Sequence, residues 1–237
     1  EGCNEFCSFC IIPFARGRSR SRTLESTVNQ VQRLVAKGYQ EVVLTGVHIG
    51  DYADGEGEGL LEVLEALEGL DGLRRFRVSS IEATYVTNAM IDFFAASEKF
   101  CRHLHVPLQS GDDRILKAMR RPYCRAEYLD LIGRLRDRIP GIGIGGDVMV
   151  GFPGETEEQY EGSLDLIAQI RPDKVHGAAY SSRPGTIAAR TLEDDVSKEE
   201  KSRRLKRLDQ LQEGILTEIN SALVGQSTEI LVESLAG

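Results

Sequence analysis

Cys3, Cys7 and Cys10 stand in C-x3-C-x2-C spacing within EGCNEFCSFCIIPFARGRSRSR, which runs from Glu1 to Arg22. Thiolate sulfur is a soft ligand that suits zinc or an iron–sulfur cluster. A structural zinc site takes a fourth Cys or His, and none lies between Cys10 and His48. Three ligands on one short loop leave a metal position open, as catalysis needs and structural sites avoid. The plant-type ferredoxin pattern has a different first spacing and a distant fourth cysteine. The spacing favours a cluster over zinc or plain thiols. Cys101 and Cys124 stand alone and read as ordinary core or surface thiols.

Arg16, Arg18, Arg20 and Arg22 follow the cysteines at once. Taken alone they are a solvated loop; beside a cluster they become candidates for phosphate contacts, which position a polyanion without reading its sequence. No aromatic residue is interleaved with them beyond Phe14, so base stacking is not inferred.

The elements that must hold this loop alternate along the chain. Leu24, Val28, Val31, Leu34 and Val35 lie on one helical face that Gly38 can terminate. EVVLTGV (41–47) is a β-branched run of the kind that forms a buried parallel strand. Further strands are expected at 74–81, 102–109, 142–152 and 173–181, with helices at 60–70, 88–96, 112–120 and 126–139. TEEQ (156–159) is a capping box opening another helix, and SKEE (197–200) a second one before a long charged helix. Strands separated by helices mean βαβ units and a parallel sheet. The expected fold class is α/β, a partial (β/α)6 TIM-like barrel whose working face lies at the C-terminal strand ends. Residues 1–223 form the barrel with its C-terminal helix, and 224–237 read as the start of a small β domain.

The chain has 237 residues, 41% of them hydrophobic and 28% charged, which is ordinary for a soluble globular protein. The net charge of −8 argues against wholesale coating of nucleic acid but leaves room for a local basic patch, since exposed charges are screened over about 8 Å at physiological salt. There is no long apolar run, no signal-peptide pattern and no disulfide framework, so a cytoplasmic protein without membrane contact is expected. Glu1 in place of Met suggests an N-terminal part that lies outside this sequence.

The cysteine spacing resembles that of the radical S-adenosylmethionine enzymes. The resemblance extends through EVVLTGVHIGDY, LHVPLQSGDDRILKAMRR, DVMVGFPGETEEQY and YSSRPGTIAA, which together look like the methylthiotransferase branch. It implies that Cys3, Cys7 and Cys10 bind a [4Fe–4S] cluster whose open iron chelates S-adenosylmethionine, reduced to give a 5′-deoxyadenosyl radical. LTGVHIG is most similar to the type acting on N6-threonylcarbamoyladenosine next to the tRNA anticodon. Types acting on isopentenyladenosine or a ribosomal-protein residue are the alternatives, and an RNA-binding module with a structural metal site is the alternative of another class. The resemblance further implies a second [4Fe–4S] cluster in an N-terminal domain and a C-terminal RNA-binding, TRAM-like domain, of which the chain is expected to lack the first and nearly all of the second. Implied partners are a tRNA substrate and an electron donor of the flavodoxin or ferredoxin type, with the chain a monomer.

Beside that reading, strand-end segments become cofactor candidates. Thr45 and Gly46 end a strand whose carbonyls could accept from an ammonium group. Gln109 and Ser110 sit at the mouth before a helix that Asp112 can cap. The glycines around Asp147 and Gly151 would let a flat adenosine approach the backbone, although a tight barrel corner fits them equally. His103 and His105 share a strand face and are expected to pack or hydrogen-bond inside the barrel. His48 and Glu82 lie near strand ends and could face the pocket. No catalytic residue is assigned.

Overall fold

The computed structural model describes residues 1–55 and 57–232. Its parallel strands are β1 (Glu41–Leu44), β2 (Arg75–Val78), β3 (His103–His105), β4 (Gly143–Val150) and β5 (Lys174–Ala179). β1 pairs with β2, and β3, β4 and β5 form a second ladder in chain order. The Phe76–Phe100 bridge joins the two, with the Cys101 amide donating to Phe76 O at 2.9 Å and the Ile81 amide to His105 O at 2.9 Å. Each strand lies inside its expected range. The six expected repeats are five strands among the described residues, arranged as an open wall with no closure between β5 and β1.

Helices α1 (Ile12–Arg16) and α2 (Leu24–Ala36) precede β1, α3 (Leu60–Glu68) follows it, and α4 (Asn88–Ala96) follows β2. After β3 come α5 (Asp113–Ala118) and α6 (Arg125–Arg138); α7 (Glu157–Ile170) follows β4. α8 (Ile187–Thr191) and α9 (Lys198–Ala222) follow β5. The two short helices α1 and α8 have no apolar periodicity long enough to announce them. Along β4 the period of two sorts the faces. Ile144, Val148 and Val150 are buried toward the helices, while Asp147 and Met149 point to the inner side and stay half-buried. The helix-side core runs continuously from Val42 through Phe76, Leu104 and Ile144 to Val175.

The capping box at Thr156 forms both ways: Thr156 Oγ1 accepts from the Gln159 amide at 3.3 Å, and Gln159 Oε1 accepts from the Thr156 amide at 2.9 Å. The box expected at Ser197 forms only half. Ser197 Oγ accepts from the Glu200 amide at 3.1 Å, but the Glu200 carboxylate is taken by Arg203 and Arg204 at 2.7 Å each. A charged partner one turn along outcompetes the backbone amide for that carboxylate.

The long helix α9 closes over β5 and α7. Leu208 and Ile215 are buried on its inner face, with Leu205, Leu211 and Ile219 beside them. Gly177 makes the close approach possible, because a Cβ there would lie 2.8 Å from Leu205 Cδ1 and 3.0 Å from Leu208 Cδ2. Arg204, 5% exposed, donates to Glu155 Oε2 at 2.8 Å, and Glu155 Oε2 also accepts the Gly151 amide at 2.6 Å. The helix thereby holds the turn at the top of β4.

Residues 226–232 carry no strand, and 233–237, which belong to the expected β-domain segment, lie outside the described residues. A single strand needs a pairing partner, and none of the described segments supplies one to 226–232. Glu229, Ile230 and Leu231 instead line a cavity of about 880 Å³ with Arg75, Arg77 and His103, toward the N-terminal strand ends.

Candidate functional site

The cysteine loop is pinned at the C-terminal strand ends by backbone met far along the chain. The Ser8 amide donates to Met119 O at 3.0 Å, Ser8 Oγ donates to Ala118 O at 2.8 Å, and the Ala188 amide donates to Ser8 O at 2.7 Å. Phe9 packs on a small cluster of Ile115, Met119, Phe152, Tyr180 and Ala188. The short helices α5 and α8 thus serve as clamps for the loop. Within it the Cys10 amide donates to Cys7 O at 3.0 Å, a tight turn that keeps these two residues on one bend. Cys7 is buried, while Cys3 and Cys10 are half-buried. Burial pushes the Cys7 thiol up and Arg121 opposes it; burial also raises the Cys3 thiol, and the neighbouring Cys10 adds to both.

Arg121 ties this loop to the ends of β2 and β3. It donates to Cys7 Sγ at 3.2 Å and to the Tyr123 hydroxyl at 3.1 Å, and it pairs with Glu82. The Tyr123 hydroxyl lies 2.8 and 3.0 Å from the carbonyls of Pro107 and Leu108, just beyond β3. Burial pushes the Glu82 carboxyl up, with Arg121 opposing. On the other flank, Glu5 accepts from the Tyr85 hydroxyl at 3.0 Å and lies 3.6 Å from His48 Nε2. Since His48 Nδ1 accepts from the Asp51 amide at 3.0 Å, the ring's proton sits on Nε2, pointing toward Glu5. That nitrogen is buried with no hydrogen-bond partner among the described residues.

The structure distributes the expected strand-end residues unevenly. Thr45 and Gly46 are exposed and line a cavity of about 680 Å³ together with His48, Arg20 and Arg22. Gln109 adopts φ 67°, a left-handed backbone rare for a side-chain residue. Its amide donates to Asp147 O at 2.7 Å, and its carbonyl accepts from Met149 at 2.9 Å. Ser110 is fully buried on the helix side, 3.4 Å from Ser163 Oγ. Asp147 Oδ2 lies 3.0 Å from His105 Nε2, and the His105 and His176 ring centroids are 5.6 Å apart. Gly151, at φ 67°, lies under Lys201, whose Cγ would be 2.4 Å from an added Cβ. The gaps at Gly143 and Gly145 are already filled by side chains: a Cβ at Gly145 would meet His105 Nδ1 at 3.0 Å, and one at Gly143 would meet His103 at 3.3 Å.

Around the arginine run, Arg20 pairs with Glu1 at 3.6 Å, Arg22 bonds Ser26 Oγ at 2.7 Å, and Arg18 lies over the Phe6 ring. All four arginines are exposed. Cys101 lies at the opposite, N-terminal end of β3, and Cys124 caps α6.

Residues 1–167 match the model of the Radical SAM superfamily. The chain belongs to that superfamily. Radical SAM enzymes use a [4Fe–4S] cluster and S-adenosylmethionine. Among curated relatives, the chain is 44% identical over 234 residues to tRNA-2-methylthio-N(6)-dimethylallyladenosine synthase of Carboxydothermus hydrogenoformans, covering 98% of this chain and 53% of that one. It is 42% identical over 235 residues to threonylcarbamoyladenosine tRNA methylthiotransferase MtaB of Bacillus subtilis, covering 98% and 52%. The chain therefore spans about half the length of the curated relatives it matches. Among solved structures, the radical S-adenosylmethionine methyltransferase TsrM of Kitasatospora setae superposes with TM-score 0.67 at 20% identity, over 79% of this chain and 37% of that one. Coproporphyrinogen III oxidase HemN of Escherichia coli gives 0.65 at 14%, over 90% and 50%. These two likenesses concern the fold.

The donor set of the radical SAM loop fits a cluster. Three thiols lie on one clamped loop, Cys7 and Cys10 on the same turn, and Cys10 is near enough to raise both others. No three His, Cys, Asp or Glu side chains among the described residues are grouped as for a single metal ion. A cubane cluster does not ask for that, because each cysteine ligates a different iron. Sequence reading missed Arg121, Tyr123, Glu5 and Tyr85. One signal was present for the first two. A βαβ crossover needs one helix, so the extra short helix after β3 had to remain near the mouth and leave Arg121 there.

Proposed function

We propose that this chain is the radical SAM core of a tRNA methylthiotransferase that adds a 2-methylthio group to N6-threonylcarbamoyladenosine next to the anticodon. The observation that carries the reading is its similarity, over 98% of its length, to relatives named for methylthiolation of tRNA adenosines. Both adenosine types match at nearly equal identity, so the choice of substrate turns on the local segment LTGVHIG (44–50). The 44% relative favours dimethylallyladenosine as a second reading.

Bound at Cys3, Cys7 and Cys10, the cluster would supply the single electron that cleaves the sulfonium of S-adenosylmethionine. The chain's own residues do the rest. Arg121 brings a guanidinium N–H to Cys7, compensating thiolate charge that burial disfavours. Phe9 and the clamps at Ser8 hold the loop against the mouth, and Thr45 and Gly46, exposed at the end of β1, would offer backbone carbonyls to an ammonium group. The exposed arginines supply local positive charge on an acidic protein.

The test is anaerobic reconstitution with iron, sulfide and dithionite, followed by assay of 5′-deoxyadenosine and of modified nucleoside on tRNAs carrying either hypermodified adenosine. The 237 residues are expected to release 5′-deoxyadenosine without forming methylthio product. A longer form matching the relatives' full length should methylthiolate the threonylcarbamoyl tRNA. Preference of that longer form for dimethylallyl tRNA would overturn the substrate assignment. Absence of 5′-deoxyadenosine from a fully loaded protein would overturn the activity.

A further inference from the structure

The cysteine loop carries an aromatic feature that the linear sequence conceals. Phe6, between Cys3 and Cys7, adopts φ 51°, a left-handed backbone that a bulky side chain enters only when its surroundings demand it. The result is an edge-to-face pair with Phe14, ring centroids 5.7 Å apart at an interplanar angle of 84°. Arg18 places its guanidinium carbon 4.6 Å from the Phe6 ring centre. Phe14 is 52% exposed.

An edge-to-face pair uses one face of one ring and an edge of the other. With Arg18 over Phe6, whichever ring contributes the edge, Phe14 keeps at least one open face. The backbone shapes this surface. Gly17, at φ 79°, turns the chain out of α1, so that the Cys3 amide donates to Gly17 O at 3.2 Å and the Arg20 amide to Glu1 O at 2.6 Å. The arginine run therefore lies alongside the residues that open the cysteine loop, with Arg18 over the Phe6 ring that pairs with Phe14 and Arg16 exposed at the end of the helix that carries Phe14. An exposed aromatic face on a loop that also carries exposed guanidinium groups is the chemistry that binds unpaired nucleotides: the ring stacks a base of any identity while the cations take its phosphates.

We infer that Phe14, braced by Phe6 and Arg18, is a stacking platform for an unpaired RNA base, with Arg16 and Arg18 holding the adjoining phosphates. This inference rests on the tRNA reading above and adds to it the residue that grips a single-stranded nucleotide at the rim of the cluster loop. It also adds base stacking, which was not inferred from the arginine run alone, because the second aromatic, Phe6, comes from the other side of the loop.

The test uses the whole chain and a labelled RNA stem-loop with a seven-nucleotide unpaired loop, followed by fluorescence anisotropy at several salt concentrations. Stacking on one ring is worth roughly 5- to 100-fold in affinity. Phe14→Ala should weaken binding by that factor and leave the salt slope unchanged, since every phosphate keeps its cation. Phe14→Leu, which keeps apolar bulk without a π face, should be as weak as Ala. Arg16→Ala should flatten the salt slope by about one. The chain contains no tryptophan, so Phe14→Trp introduces a single reporter that should keep affinity and be quenched by the stem-loop but not by blunt duplex RNA. Binding by the unaltered chain together with undiminished affinity in Phe14→Ala, or an unquenched Trp at saturation, overturns the platform alone. Failure of the unaltered chain to bind the stem-loop overturns the platform and the tRNA reading together.

Discussion

Replacing Arg121 by Met in the metal-free chain tests whether the guanidinium organises the mouth. The side chain is 2% exposed and its partner Glu82 16% exposed, so water cannot take over for either. Met keeps most of the length but removes the donors to Cys7 Sγ, the Tyr123 hydroxyl and Glu82. Breaking a buried pair by deleting one partner costs about 3–5 kcal/mol, most of it the stranded charge. With a urea slope of about 3 kcal/mol per molar, the unfolding midpoint should fall by about 1–1.7 M. The effect has a signed pH dependence. Burial raises the Glu82 carboxyl in the folded state, and removing Arg121 removes the largest contributions that oppose the rise, leaving only the weaker one from His48. Between the unfolded value near 4.5 and the raised folded one, the native state holds more protons, so stability declines as pH increases through that window. The deficit of Arg121→Met should therefore be smaller at pH 4.5 than at pH 8. Adding Glu82→Gln removes the stranded charge and should recover a substantial part of the stability in a double-mutant cycle. A single variant within about 0.5 kcal/mol of the parent at pH 8, measured by urea melts, would refute the reasoning.

Four further outcomes follow from other parts of the molecule. Cys3→Ala, Cys7→Ala and Cys10→Ala should each lose reconstituted iron while Cys101→Ala and Cys124→Ala retain it; full iron in Cys7→Ala would remove Cys7 from the ligand set. Gly177→Val should destabilise by about 1–3 kcal/mol through overpacking, because Leu205 Cδ1 stands 2.8 Å from the new Cβ, and Leu205→Ala in the same chain should recover part of it in urea melts. Hydrogen bonding from Arg203 and then Arg204 holds the Glu200 carboxyl down at about 2; a depressed carboxyl stabilises the fold above its unfolded value, and that contribution fades as pH falls from about 4.5 toward 2, so a carboxyl-detected titration giving an ordinary value would disprove the contact. Arg18→Ala with Arg20→Ala should weaken stem-loop RNA binding and flatten its salt dependence by about one for each phosphate that no longer meets a guanidinium, whereas coincident salt curves would return the run to a solvated loop.

What the sequence disclosed follows the range of the interactions involved. The strands were legible because β-branched runs such as EVVL (41–44) need only their neighbours to declare a period, and α7 because Thr156 and Gln159 satisfy each other across three residues. The cysteine loop was legible as a ligand set because its spacing is local. Its support was not. Arg121 meets Cys7 from 114 residues away, and Ser8 is held by Met119 and Ala188, contacts that exist only once the open wall has brought β3 and β5 beside β4.

The glycines of GIGIGGDVMVGFPGE (141–155) mark where pattern stops and register begins. A glycine on an inner face says that something comes close, without saying what. In this fold the answer is the pairing of β3 with β4: His103 stands opposite Gly143 and His105 opposite Gly145, so each ring leans into the space its partner leaves. Two residues on, where the inner face next holds a side chain, Asp147 meets His105 at 3.0 Å. Shifting the register by a single residue would turn both histidines toward the helix-side core and dissolve this arrangement. The inner face is therefore a property of strand alignment, and the polarity of the wall under the cluster loop depends on β3 and β4 keeping that alignment.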